Sequence, residues 1–217
     1  EHRRRQYRRG ARSGGVGRTN TSSPETAVSF FKTLADRIDT LGIDGSTLAV
    51  TGEKISSIIA TGGNLWVYDR PGLLARELAS GCGAPTFIRR ATPDDVINGA
   101  ISASDILIIA TLTSNPPDAL MLLQRAHAFG IPVIALCPHD DAGGYRMHRE
   151  ADFSLDTLSP EQDGILGFDN GTNRFLRTGY FTMLTLFWMI AGDVMFRLYH
   201  TGITVPYNIP SHIVDNA

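Results

Sequence analysis

Cysteine is nearly absent. Cys82 and Cys137 are the two in 217 residues, and no C-x-x-C spacing joins them. That excludes a disulfide-knit scaffold and a zinc ribbon, which need several closely spaced thiols. Two free thiols in a reducing, cytoplasmic compartment is one reading of the pair; a single disulfide between them is the other. Charge is scarce too, at 19% of residues against about 25% in an average domain. The net charge is −2, and it is unevenly placed. Residues 1–18 carry seven Arg and one Glu, a local +6, which leaves −8 on residues 19–217. An acidic body gives no electrostatic reason to expect nucleic-acid binding by the folded part.

Large apolar side chains are nearly missing from residues 1–22, which are rich in Arg, Gly and Ser. Such a segment cannot bury enough surface to fold alone, so it is expected to be a disordered arm. Three readings of the arm stay open. One is a tail for nucleic acid or an anionic membrane. Another is a twin-arginine signal at Arg4-Arg5-Gln6-Tyr7, although no apolar segment follows it. The third is an N-terminal sequence that is not native, since no Met begins it.

Long apolar runs are missing everywhere but Tyr180 to Tyr199. Its length alone would suit a membrane span. Asp193 and Arg197 lie inside it, however, and Gly192 and two Thr dilute it. Charges within a span are costly, so a core or dimer-interface helix is expected and no membrane partner. Thr201 to Ala217 has two Pro and no periodicity, and is expected to lie over a surface, of this chain or of a partner subunit.

The rest of the chain is regular. Ser23-Pro24-Glu25 starts a helix, and Val28, Phe30, Phe31, Leu34, Ile38 and Leu41 recur near its period. A second helix is expected from Thr47 to Ala60. Strands are expected at Asn64–Tyr68, Pro85–Ile88, Ile106–Ala110, Ile131–Leu136 and Ala151–Leu155. Helices are expected at Leu73–Ser80, Pro93–Ala103 and Asp118–Phe129, and long loops at 138–149 and 156–178. Short apolar strands separated by helices imply a parallel sheet with helices on both faces. Ligands of such sheets bind at the carboxyl ends of the strands, so the loops 69–72, 111–115 and 138–149 compete for the site.

The middle loop is the richest. Ile106 to Ala110 reads as a strand buried on both faces. Thr111, Thr113, Ser114 and Asn115 follow at once, then Pro116-Pro117 and a helix. Hydroxyls beside a helix N-terminus suit a phosphate or carboxylate; a plain helix cap is the alternative.

Three blocks carry a family likeness: "GGNLWVYDRPGLLARELASGCGAP", "SDILIIATLTSNPPDALMLLQRAHAFGIPVIALCP" and "ADFSLD". Over roughly residues 24–203 the chain resembles the SIS (sugar isomerase) domain. Within it, the likeness is to the single-domain group related to phosphoheptose isomerases. The resemblance implies an α/β fold, a five-stranded parallel sheet flanked by helices in three flavodoxin-like layers, spanning residues 23–203. It implies a homo-oligomer, dimer or tetramer, and a sugar phosphate or similar small anion held by Ser/Thr-rich loops after two strands. Thr111 and Thr113 take the hydroxyl positions of the second loop, Ser114 replaces a Gly, and Asn115-Pro116 closes the motif. The first loop, Tyr68-Asp69-Arg70-Pro71-Gly72, has lost its hydroxyls and gained Arg70. Arg70 would either fork a phosphate or pair with Asp69 or Glu77.

Isomerase chemistry needs a base to shuttle a proton between adjacent carbons. His139 and Glu150 are the catalytic candidates, from a set near strand ends that includes Asp140, Asp141 and His148. His139, Asp140, Asp141 and His148 also form a loose metal set. No cofactor is expected. His200 could reach a neighbouring subunit's site, or simply sit at a helix C-terminus. Thr172, Asn173 and Arg174 could add an anion contact or cap the last helix. The expected function is phosphosugar binding, with sugar-phosphate isomerase activity left open because the first phosphate loop is degenerate. A non-catalytic sensor, or an assembly subunit with a vestigial pocket, is the alternative.

Overall fold

Alternation along the strands decides which helix covers which face. The structure, a computed structural model, describes residues 23–41, 45–70, 72–81, 83–139, 146–160, 163–164, 166–168, 173–175 and 177–208. The arm 1–22, Cys82, Asp140, Asp141, Thr172 and the tail beyond residue 208 lie outside them. Five strands make one parallel sheet: β1 (Leu65–Asp69), β2 (Ile88–Arg90), β3 (Ile106–Ala110), β4 (Val133–Cys137) and β5 (Phe153–Asp156). Their order across the sheet is β2-β1-β3-β4-β5. Every residue of β3 and β4 is buried, as their continuous apolar sequences require of strands covered on both faces.

Helices α1 (Ser23–Leu41), α2 (Gly45–Ala60), α3 (Leu73–Ser80) and α7 (Gly179–His200) belong to one face. There Val67, Ile108 and Leu136 of the sheet meet Ile55, Leu74 and Phe187. Helices α4 (Pro93–Ile97), α5 (Pro117–Ala128) and α6 (Arg146–Glu150) cover the other face. Here Leu107, Ile109 and Ala135 meet Val96, Leu123 and Met147. The expected three-layer α/β architecture is present.

Several boundaries differ from the sequence reading, each for a local reason. The second strand is not Pro85–Ile88 but Ile88–Arg90; Pro85 makes only an isolated bridge to Tyr207. The helix after it stops at Ile97 rather than Ala103, because Gly99 turns the chain at φ +73°. The loop 138–149 ends in α6, a single turn too short to show a period. The loop 156–178 contains an antiparallel ribbon, β6 (Leu166–Phe168) with β7 (Asn173–Phe175).

Helix α7 is long and apolar enough to cross a membrane by length and composition. In this fold one side of it is core: Met183, Leu186, Phe187, Ile190, Val194 and Leu198 are buried. The segment after it runs back along its own sheet edge. Thr86 N donates to Pro206 O (3.0 Å), and Asn208 N to Ala84 O (2.9 Å).

Candidate functional site

The chain leaves β1 toward the α3 face and leaves β3 toward the α5 face. Neighbouring strands whose connections part in this way open a crevice between their loops. A cavity of about 190 Å³ lies there. Tyr68, Asp69 and Arg70 line it from the end of β1. The stretch from Ala110 to Thr113 lines it from the end of β3, with Asp118 and Ala119 in the first turn of α5. Met183 contributes from α7. The volume is below the roughly 300–1,000 Å³ of drug-sized sites, which limits the ligand to a small molecule or the charged end of a larger one.

The two sides of the cleft are built differently. On the β3 side, Thr111 N donates to Leu136 O (2.8 Å), extending the sheet by one residue. Thr111 Oγ1 donates to Thr113 O (2.8 Å), which tightens the turn. Pro116 is the N-cap of α5, Pro117 its first residue, and no side chain caps it. On the β1 side the N-terminus of α3 already has an anion. Asp69 is buried, and its carboxylate accepts from Leu74 N (3.2 Å) and Ala75 N (2.8 Å). Gly72 makes this turn possible with φ +68°.

Arg70 pairs with neither Asp69 nor Glu77. Its Nε lies 3.4 Å from Asp118 Oδ2, across the cleft. Tyr68 adjoins the same carboxylate. Burial raises the Tyr68 pKa, and the nearby Asp118 raises it further, so the phenol stays protonated and able to donate.

No family model matches the chain, and no curated protein matches it in sequence. Solved structures do match. A proposed phosphosugar isomerase involved in capsule formation from Bacteroides fragilis superposes with a TM-score of 0.64 at 17% identity, over 84% of this chain and 93% of that one. The phosphoheptose isomerase of Neisseria gonorrhoeae gives 0.56 at 14% identity, over 79% and 98%. An Escherichia coli protein in complex with arabinose-5-phosphate gives 0.52 at 14%, over 83% and 98%. The fold is that of the SIS domain.

Within this SIS fold the candidates divide. Thr111, Thr113 and Arg70 come together in the cleft; Ser114 and Asn115 are not among its lining residues. Ser114 is fully buried. Asn115 donates to Ser114 Oγ (3.3 Å) and accepts from Arg146 N (2.9 Å), so it ties the hydroxyl loop to the start of α6.

His139 and Glu150 are not among the lining residues either. His139 follows β4; its N–H donates to Asp156 Oδ1 (3.0 Å), and its ring lies 5.0 Å from that of His148. Glu150 accepts from Arg146 Nε (2.9 Å) and Gln124 Nε2 (3.2 Å), and these bonds hold its pKa below the usual carboxylate value. His200 sits at the end of α7, its ring centroid 4.1 Å from that of Phe196. Among the described residues no group of three or more His, Cys, Asp or Glu is placed to hold a metal. Cys137 is a buried free thiol whose pKa burial pushes up to about 12, so it is unreactive as a nucleophile.

Sequence reasoning missed Asp69 and Asp118, the two carboxylates that line the cleft. Asp69 had a readable signal: an acidic residue a few positions before a helix can cap it. Asp118 sits at the second helical position, where acids are common for dipole reasons alone. Nothing local marks it as a partner of Arg70.

Proposed function

We propose that the cleft between β1 and β3 binds a sugar phosphate. The phosphate is received by the Thr111–Thr113 turn, the open N-terminus of α5 and Arg70; the sugar extends toward Tyr68 and Asp118. One observation carries this reading: the two hydroxyl residues and the cation stand together in a small cavity at the switch point of a SIS fold. The Thr113 hydroxyl, the helix N–H groups and the guanidinium are donors that phosphate oxygens accept from; the Thr111 hydroxyl donates to Thr113 O and shapes the turn that presents them. The arabinose-5-phosphate complex of a structural neighbour supports the ligand class.

Binding is favoured over turnover. The first loop has spent its helix N-terminus on Asp69, and the candidate bases His139 and Glu150 do not line the cleft. A thermal-shift panel of pentose, hexose and heptose phosphates tests the reading. At a hundred times the dissociation constant the expected stabilisation is about 2.7 kcal/mol. It should shrink in Thr113→Ala and Arg70→Gln, both exposed positions. No shift with any member of the panel would sink the proposal. Conversion of a bound sugar phosphate, followed by NMR, would extend it to isomerase activity.

A further inference from the structure

Among the described residues lining the cleft Arg70 is the one cation, and it is already engaged by a carboxylate from the opposite wall. The engagement is loose. A single nitrogen approaches Asp118 at 3.4 Å, longer than the roughly 2.7–3.2 Å of a good hydrogen bond. The Arg70 side chain is 79% exposed and that of Asp118 37%, so the pair holds little energy. Asp69, the other carboxylate, has its oxygens on the α3 N–H groups and does not compete.

We infer that Asp118 sets the ligand preference of the cleft by exchanging Arg70 for a ligand hydroxyl when a phosphate arrives. The inference rests on the sugar-phosphate reading above. A phosphate can offer a guanidinium two parallel hydrogen bonds, which the present contact lacks, so Arg70 turns to it. Asp118 then stands beside an anion without its cation. The Tyr68 phenol donates to that carboxylate, but one neutral donor in place of a cation leaves it repelling the newcomer unless it gains another, and carbon-bound hydroxyls are donors of the right kind. A sugar phosphate brings the phosphate and the hydroxyls together. Inorganic phosphate brings no such hydroxyl array, and a neutral sugar gives Arg70 no reason to leave. The exchange therefore selects molecules that carry both groups.

Calorimetric titration of the full chain and of Asp118→Asn tests this with two probes. They are inorganic phosphate and whichever sugar phosphate of the panel the wild type binds best. The wild type should prefer the sugar phosphate. In Asp118→Asn inorganic phosphate should bind more tightly, and the preference should fall about tenfold, the scale of one hydrogen bond to a charged group. Arg70→Gln should weaken both probes. Circular dichroism melts check that both variants are folded. An unchanged preference in Asp118→Asn, whether the two affinities rise together or stay put, overturns the inference while leaving the cleft as a sugar-phosphate site. Absence of sugar-phosphate binding by the wild type removes the site and the inference together.

Discussion

The surroundings of His148 disfavour its charged form in the native protein. Its Nε2 is buried and has no hydrogen-bond partner among the described residues. Burial lowers its pKa from 6.5, and the neighbouring His139 lowers it further; Asp156 and the carbonyls of Cys137 and Pro138 oppose the shift without reversing it. The sign of the pH effect follows. Above about pH 6.5 the ring is neutral in both folded and unfolded chains, and its contribution is constant. As the pH falls below that value the unfolded chain takes the proton first, so stability is lost until the folded pKa is reached. The slope is at most about 1.4 kcal/mol per pH unit. Urea midpoints measured from pH 8 to pH 5.5 should fall for the wild type and fall less for His148→Gln. Equal slopes would mean that the ring protonates freely in the fold. Asp105 and Glu150, whose pKa values are lowered, act in a separate window below about pH 4.5. The sequence showed His148 as one of several polar residues in a loop. Its surroundings come from β4, α6 and β5 together, so no local pattern could have revealed its burial.

Secondary elements were far more legible than these contacts. Ile106 to Ala110 needed only its β-branched run and the abrupt polar turn to be placed correctly. By contrast α6 and the β6–β7 ribbon have five and three residues per element, too few for periodicity to emerge. The crossing of α2 and α7 shows a second limit. Gly52 is buried in the middle of α2, where helix propensity alone favours Ala by about 0.8–1.0 kcal/mol. A Cβ there would run into the Asp193 carboxylate of α7, which accepts from Arg197 Nε at 2.7 Å. Gly52→Ala must therefore swing Asp193 away or part the helices, at a cost of about 1–3 kcal/mol for overpacking. The expected net result is a destabilisation of about 1 kcal/mol, read by urea unfolding. In an Asp193→Ala background the obstacle is gone, and the same change should stabilise by roughly the propensity difference. A stabilising Gly52→Ala in the wild type would show that Asp193 swings aside, or the helices part, at little cost.

The whole molecule is fastened at a point that sequence alone did not disclose. Helix α1 precedes the sheet and packs on α7, which follows it. Phe30 of α1 meets Phe181 of α7 edge to face at 5.9 Å, but Val28 and Phe31 remain exposed, so apolar burial holds α1 only in part. Asp163 makes the second attachment. Its carboxylate accepts from Thr178 N and Gly179 N, both at 2.6 Å, and so caps α7. It also accepts from Arg37 Nη1 of α1 at 2.9 Å, while Arg37 donates to the Thr178 hydroxyl as well. The side chains of Arg37 and Asp163 are 19% and 7% exposed. Removing one member of a buried pair strands the other, at about 3–5 kcal/mol. Asp163→Ala should lose that much in urea unfolding, a large share of the roughly 5–15 kcal/mol that holds a domain together. Asp163→Asn keeps an acceptor oxygen for the helix N-terminus and should lose less. Hydrogen exchange should show where the loss falls. In Asp163→Ala the amides of α1 and the first turn of α7 should exchange faster relative to global unfolding than those of β3 and β4, because the clamp joins helices and does not touch the sheet. A cost below about 1 kcal/mol, the scale of an exposed pair, or uniform acceleration across the sheet, would mean that α1 is held by its apolar face alone.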